Sequence, residues 1–245
     1  MPDLGYATVE DFCDSADSLS EICQLDGDLK NVQRPWMVKA VLGRVPPGSR
    51  LLEIGAGEPL VAAALHDLGY RVTVVDPYEG AGHGPTDYEQ YVRTFPDVRI
   101  IRGEFAPGMP QLAGECFDCI YSISVLEHVA HDRIGDLFAG IAELLRPGGE
   151  SLHSIDHVAA GRGAAYHEDG LRAVLHGQER LRRPAAEGSA DVERGLRELL
   201  RRMENDLETF YLSPQGHHQW RGGRPYREFP FRKVVSIHSC ATKTR

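Results

Sequence analysis

The stretch Arg50-Leu51-Leu52-Glu53-Ile54-Gly55-Ala56-Gly57 decides the fold. An apolar run of strand length that closes on small residues reads as a buried strand entering a Gly-rich turn. There backbone amides can approach a ligand at a helix N-terminus. Pro59 suits the first position of a helix over 59–68, and Gly69 suits its C-terminal cap. A second strand over 71–75 ends on Asp76, followed by Pro77. Asp76 lies 19 residues beyond Gly57, where an acidic side chain at a strand's carboxyl end can hold both hydroxyls of a ribose.

The alternation continues outward. Thr86 and Glu89 have the spacing of a capping box ahead of Tyr88, Tyr91, Val92 and Phe95, and a third strand covers 98–102. A fourth strand covers 119–122. A helix over 132–145 sets Ile134, Leu137, Phe138, Ile141 and Leu144 on one face and stops at Arg146-Pro147-Gly148-Gly149, before a fifth strand over 151–155. Strands and helices in this order predict an α/β fold: a doubly wound, mostly parallel seven-stranded sheet with helices on both faces.

Residues 1–45 read as an N-terminal helical flank or lid. Ser18 and Glu21 form a capping box before Leu19, Ile22 and Cys23, and Pro35 opens a second helix carrying Trp36, Met37, Val41 and Leu42. Residues 46–245 read as the main domain, with a helical insertion over about 159–206 between strands five and six. Its two amphipathic helices carry Leu171, Val174 and Leu175, then Val192, Leu196, Leu199, Leu200, Met203 and Leu207, joined by a linker over 183–189. Their apolar faces must pack on each other, on the sheet edge or on a second subunit, so a homodimer is one expectation and a roof over the crevice another. Strands over 209–212 and 232–240 complete the sheet.

A net charge of -9 sets a repulsive background for polyanions, which argues against nucleic acid as partner. Five cysteines are too few for a disulfide framework, so the expected compartment is the cytoplasm. Cys116 and Cys119 form a C-x-x-C without a second pair to complete a zinc site, and read as buried thiols at a strand edge. The N-terminus lacks a basic start, and no run approaches the roughly 18 apolar residues of a membrane span, so neither export nor anchoring is expected.

Five segments, LLEIGAG (51–57), VTVVDP (72–77), IIRGEF (100–105), FDCIYSISVLEH (117–128) and LLRPGG (144–149), resemble in order and spacing the class I S-adenosylmethionine-dependent methyltransferases. The resemblance implies that Gly55, Ala56 and Gly57 cradle the methionine part of S-adenosylmethionine. It places Asp76, with Pro77 beside it, at the ribose, Glu104 with Phe105 at the adenine edge, and Ser122 at the amino acid end. Glu53 supports the glycine turn or reaches the methionine amine through water. The family often has a third glycine where this chain has Pro59, which implies an altered local loop. A nicotinamide dinucleotide site is the alternative, but its G-x-G-x-x-G would put the third glycine at Leu60.

The implied activity is methyl transfer to a small-molecule acceptor, a hydroxyl of a sugar or secondary metabolite first, a nitrogen second. The alternative from another class is a noncatalytic S-adenosylmethionine-binding protein with the same fold. In an open α/β sheet ligands collect at the carboxyl ends of the parallel strands. Glu127 and His128, Asp156 and His157, then His217, His218, Gln219, Trp220 and Arg221 fall there. This gathering suits a base or a polar pocket ahead of a metal site, with His157, His218, His217 and Asp156 as candidate catalytic residues and no metal expected. His66, His83, His131, His153, His176 and His238 read as structural, and His167 stays open.

Overall fold

The computed structural model describes residues 2–24, 27–80, 86–183 and 189–244. His83 and most of the 183–189 linker lie outside them. Seven strands, β1 Asp3–Tyr6, β2 Arg50–Ile54, β3 Arg71–Asp76, β4 Arg99–Arg102, β5 Phe117–Ile123, β6 Leu145–Ala160 and β7 Lys233–Thr242, form one sheet in the order β1-β7-β6-β5-β2-β3-β4. The four pairings among β2 to β6 are parallel; β7 is antiparallel to both neighbours, so β1 runs with β2 to β6.

Side-chain alternation along the strands assigns the helices to their faces. Leu51, Val74, Tyr121 and Leu152 share a core with α2 (Lys30–Arg44) and α3 (Leu60–Asp67). Leu52, Ile54, Ile120 and Ile155 share the opposite core with α5 (Ile134–Leu144), α6 (Ala164–Arg182) and α7 (Ser189–Asn205). The remaining helices are α1 (Val9–Ser18), α4 (Tyr88–Thr94) and α8 (Pro214–Arg221).

The doubly wound sheet is as the sequence implies, but its seventh strand is not the one expected. The outer edge of β7 is divided: Asp3–Tyr6 pairs with Ile237 to Cys240, whereas 209–212 touches β7 only near Val234 and Val235. The short segment therefore makes isolated bridges, at Thr209 and Tyr211, and the N-terminus, read as purely helical, supplies the edge strand. With no strand at 209–212, α6 and α7 lie between β6 and β7. Leu171, Val174, Leu175, Val192, Leu196 and Leu199 are buried in the same core as Ile155 and Ile237.

Local signals also shift. The first helix is capped by Thr8 with Asp11, and Ser18 ends it, so Ser18 and Glu21 cap nothing. The second begins at Lys30, whose N–H donates to the Asp28 carboxylate, and Pro35 sits inside it. Pro59 is the N-cap of α3, one residue before its first turn. Thr86 is not a cap either: α4 starts after Asp87 and has no side-chain cap. Cys119 is buried, but Cys116 is exposed.

β6 pairs with β5 only as far as Ser154, while β6 and β7 stay paired out to Ala160. The two long strands project beyond the sheet's carboxyl edge as a ribbon. That projection carries Asp156 and His157 on opposite faces.

Candidate functional site

The turn after β2 needs left-handed backbone: Gly55 has φ 70° and Gly57 φ 58°. A Cβ on Gly55 would sit 2.6 Å from Val125 Cγ2, so glycine is required there on both counts. The Gly57 N–H donates to Asp76 Oδ2 at 2.9 Å and the Tyr78 N–H to Asp76 Oδ1 at 2.7 Å. Asp76 thus ties the glycine loop to the end of β3. An ionised carboxylate offers about four acceptor positions, which leaves it able to receive two more donors.

Behind the loop, Glu53 is buried and accepts from the Tyr121 hydroxyl at 3.0 Å. Burial pushes its carboxyl up to about 7, against the pull of the Tyr121 hydrogen bond and of the Arg34 charge. Arg34 Nη1 and the Tyr78 hydroxyl are buried without a hydrogen-bond partner among the described residues. A buried donor left unmade costs roughly 1–3 kcal/mol, so orphans gathered beside one loop mark where a polar ligand completes the structure.

A second polar group lies past β5 and β6. Gln33 Nε2 donates to Asp156 Oδ1 at 2.7 Å, and the Ser124 hydroxyl lies 2.7 Å from Gln33 Oε1 and 3.1 Å from Asp156 Oδ1. Ser124 holds φ at 52°, a conformation that non-glycine residues adopt only under constraint. The Glu127 side chain is buried beside them, 3% exposed, with Oε1 3.9 Å from His128 Nε2. Burial, then the neighbouring Asp156, raises the Glu127 carboxyl well above the usual range; burial raises Asp156 to about 6. Two buried carboxyls this close cannot both ionise without cost, so the pair retains a proton near neutral pH.

Residues 52–152, the segment from β2 into β6, match a family model described as a methyltransferase domain. Over that segment the chain is similar to methyltransferase domains. An uncharacterized protein of Mycobacterium tuberculosis is 28% identical over 117 residues, 47% of this chain and 38% of that protein. The ubiquinone biosynthesis O-methyltransferase of Agrobacterium fabrum is 34% identical over 103 residues, 42% of this chain and 38% of that protein. The match therefore spans 38% of the length of each of these curated relatives. Among solved structures, a TehB-like SAM-dependent methyltransferase from Corynebacterium glutamicum aligns at 20% identity over 69% of this chain and 82% of its own, with TM-score 0.47. The 1,6-didemethyltoxoflavin-N1-methyltransferase of Burkholderia thailandensis aligns at 20% identity over 97% and 87%, with TM-score 0.46.

The cofactor that the sequence resemblance implies is S-adenosylmethionine. The residues present fit it: left-handed glycines open a loop toward the crevice, Asp76 keeps acceptor capacity for hydroxyls, and Arg34 Nη1 is a free donor for a carboxylate.

Not every residue carried over by resemblance lies as implied. The Ser122 hydroxyl is fully buried against His153 Nδ1 at 2.8 Å, on the face of α5, so its side chain is spent in the core. Glu104 is exposed and ends 4.0 Å from Arg133, while Phe105 is buried against Gly140. Ala56 sits between the two glycines, half-buried beside the α3 core, and Pro77 between Asp76 and Tyr78.

His157 faces α6, away from Asp156. Its ring lies 6.5 Å from that of His167, whose Nδ1 donates to the Asp156 carbonyl oxygen at 3.2 Å. Burial, then the neighbouring His167, lowers His157 to about 4, so it is neutral at physiological pH. His217 and His218 belong to α8 and line a separate cup.

Gln33, Arg34 and Ser124 went unread in the sequence. The one signal available was a polar Gln-Arg pair set between Val32 and the apolar Trp36, Met37 and Val38, and its placement depended on a helix start at Lys30 rather than at Pro35.

Proposed function

We propose that the chain transfers the methyl group of S-adenosylmethionine to an oxygen of a small-molecule acceptor, with the Glu127–Asp156 pair taking the acceptor's proton. S-adenosylmethionine supplies a methyl group already activated on a positively charged sulfur, so the protein's tasks are to hold, align and deprotonate. Arg34 binds the carboxylate of the methionine part, Gly55, Ala56 and Gly57 shape its cradle, and Asp76 accepts from the ribose. Gln33 and Ser124 orient Asp156.

The observation that carries this reading is the buried carboxyl pair, Glu127 just past β5 and Asp156 on β6, each raising the cost of ionising the other. A carboxyl raised toward neutrality is suited to accept a proton from a hydroxyl as it attacks. The same pair can receive an ammonium proton, which makes nitrogen the second acceptor atom. His157 and His217, neutral and on other surfaces, are assigned to packing and to the acceptor pocket.

The test measures S-adenosylhomocysteine formation with a panel of phenols, sugars and amines, in wild type, Glu127→Gln and Asp156→Asn. Expected is a loss of turnover of roughly 100-fold or more in each variant, with affinity for S-adenosylhomocysteine kept within threefold and no effect of chelator. Wild-type turnover in both variants overturns the assignment.

A further inference from the structure

Away from the carboxyl pair and the glycine loop, chemistry also gathers around α8 and the loop that follows it. Pro214, His217, His218, Arg221, Tyr226 and Phe231 line a cup of about 520 Å³. The His217 ring stacks on Phe229 with centroids 5.6 Å apart and planes 10° from parallel; Phe231 meets it edge-on at 5.2 Å and Tyr226 at 6.1 Å. His217 is 6% exposed, and its Nε2 has no partner among the described residues. Aromatic walls around a buried, unsatisfied ring nitrogen are a costly arrangement unless a ligand meets that atom.

The charge around the cup is as unusual as its walls. In a chain of net charge -9, residues 214–233 carry Arg221, Arg224, Arg227, Arg232 and Lys233 against the single acid Glu228. Arg224 lies over the Phe229 ring at 3.9 Å and Arg232 at 4.7 Å. Arg221 and Arg224 donate to each other's backbone carbonyls, and Arg224 also to that of Trp220. Among the described residues none of these three guanidiniums has a carboxylate partner. Burial and the charges of Arg224 and Arg162 lower the Arg232 guanidinium, and Arg232 and Arg221 help hold His217 neutral. Cations crowded without counter-charge in an acidic protein form a local anion trap.

The cup also has a fixed position. A Cβ on Gly161, the residue after β6, would lie 3.4 Å from Arg232 Cα, so Arg232, the neighbour of the lining residue Phe231, packs directly on the end of the strand that carries Asp156 and His157.

We propose that this cup is the acceptor's recognition site and takes a planar ring bearing an acid group, an aromatic carboxylate or an aryl phosphate. The ring lies among Tyr226, Phe231 and His217, and the acid group meets Arg221, whose planar fork matches a carboxylate or phosphate, with Arg232 adding positive charge from behind Phe229. The identification of the ligand as the acceptor rests on the methyl-transfer reading of the neighbouring crevice; the cup's preference for acids does not.

The test titrates the full chain with benzoate, phenyl phosphate and benzamide, with and without S-adenosylhomocysteine, by ligand-observed nuclear magnetic resonance. At least one acid is expected to bind about tenfold or more tightly than the neutral benzamide, and the stronger of the two identifies carboxylate or phosphate as the preferred group. Arg221→Gln with Arg232→Gln should erase the preference while calorimetry shows unchanged affinity for S-adenosylhomocysteine. Should the double variant fail to fold, Arg221→Gln alone, in the cup's wall, should reduce the preference at least about threefold. Equal binding of benzamide and both acids, absence of binding by all three, or a preference that survives the substitutions overturns the proposal. Failure of S-adenosylhomocysteine to bind the wild type, with the acid preference intact, would instead overturn the methyl-transfer reading and leave the cup standing.

Discussion

Replacing Gly55 by alanine tests the glycine loop at its most constrained point. Gly55 has φ 70°, a left-handed conformation that costs an L-residue about 1–2 kcal/mol. The new Cβ would also stand 2.6 Å from Val125 Cγ2 and 3.0 Å from its Cγ1, an overlap that displaces the valine or the loop, and overpacking of this kind costs about 1–3 kcal/mol. Gly55→Ala should therefore lose roughly 2–5 kcal/mol of stability in urea unfolding, and affinity for S-adenosylhomocysteine should fall with it. Val125→Ala removes the side-chain carbons responsible for the clash but leaves the backbone cost. The double variant should then recover the steric share, so that the two substitutions together cost less than the sum of each alone. Additive effects, or a Gly55→Ala protein with the stability and cofactor affinity of the wild type, would refute both the geometry of the turn and its role as cradle.

Asp76→Ala should weaken S-adenosylhomocysteine binding and also the fold, by about 2–6 kcal/mol, because it strips the acceptor from the Gly57 and Tyr78 N–H groups; wild-type calorimetry and urea curves would contradict this. Glu53, raised to about 7, is a carboxyl whose stabilising contribution is complete below its unfolded value near 4.5 and is lost as pH rises through 7. Glu53→Gln should therefore gain on the cofactor-free wild type by up to roughly 3 kcal/mol between pH 4.5 and 8, read as a difference of unfolding curves, and a pH-independent difference would sink the prediction. His157 has the opposite sign: lowered to about 4, it contributes stability that is present above about 6.5 and lost as pH falls through 4. His157→Gln should then resist acid better than wild type, by roughly 2 kcal/mol at pH 5 relative to pH 8, without a 100-fold loss of turnover; a loss of that size would restore His157 as a base. Excising 161–205 should leave an unfolded chain rather than a roofless enzyme, because Leu171, Leu175, Leu196 and Leu199 belong to the core beneath β6; a folded product with cofactor affinity would show otherwise.

The legible part of the molecule is the part whose determinants are local. Leu51 to Gly57 carries an apolar run closing on turn glycines and Arg71 to Asp76 an apolar run closing on an acid, and both lie in the fold where that pattern puts them; Arg146 to Gly149 ends a helix as expected but already belongs to β6, which starts at Leu145 rather than at 151. The edge strand Asp3–Tyr6 carried no comparable signal: Leu4 and Tyr6 alternate with Asp3 and Gly5, but over only four residues, and its partner Cys240 lies at the other end of the chain. The site divides the same way. Asp76 was found because strand end and glycine loop are close in sequence, whereas Gln33 and Arg34 enter through a helix start fixed by the Asp28 carboxylate rather than by the more conspicuous Pro35. The histidines show why position at a strand end does not suffice. Asp156 and His157 are adjacent in sequence, yet period-two alternation sends one to the carboxyl pair and the other to α6. The proposed chemistry therefore rests with Glu127, whose partner Asp156 comes from the next strand: two side chains that sequence separates and the parallel pairing of β5 with β6 brings together.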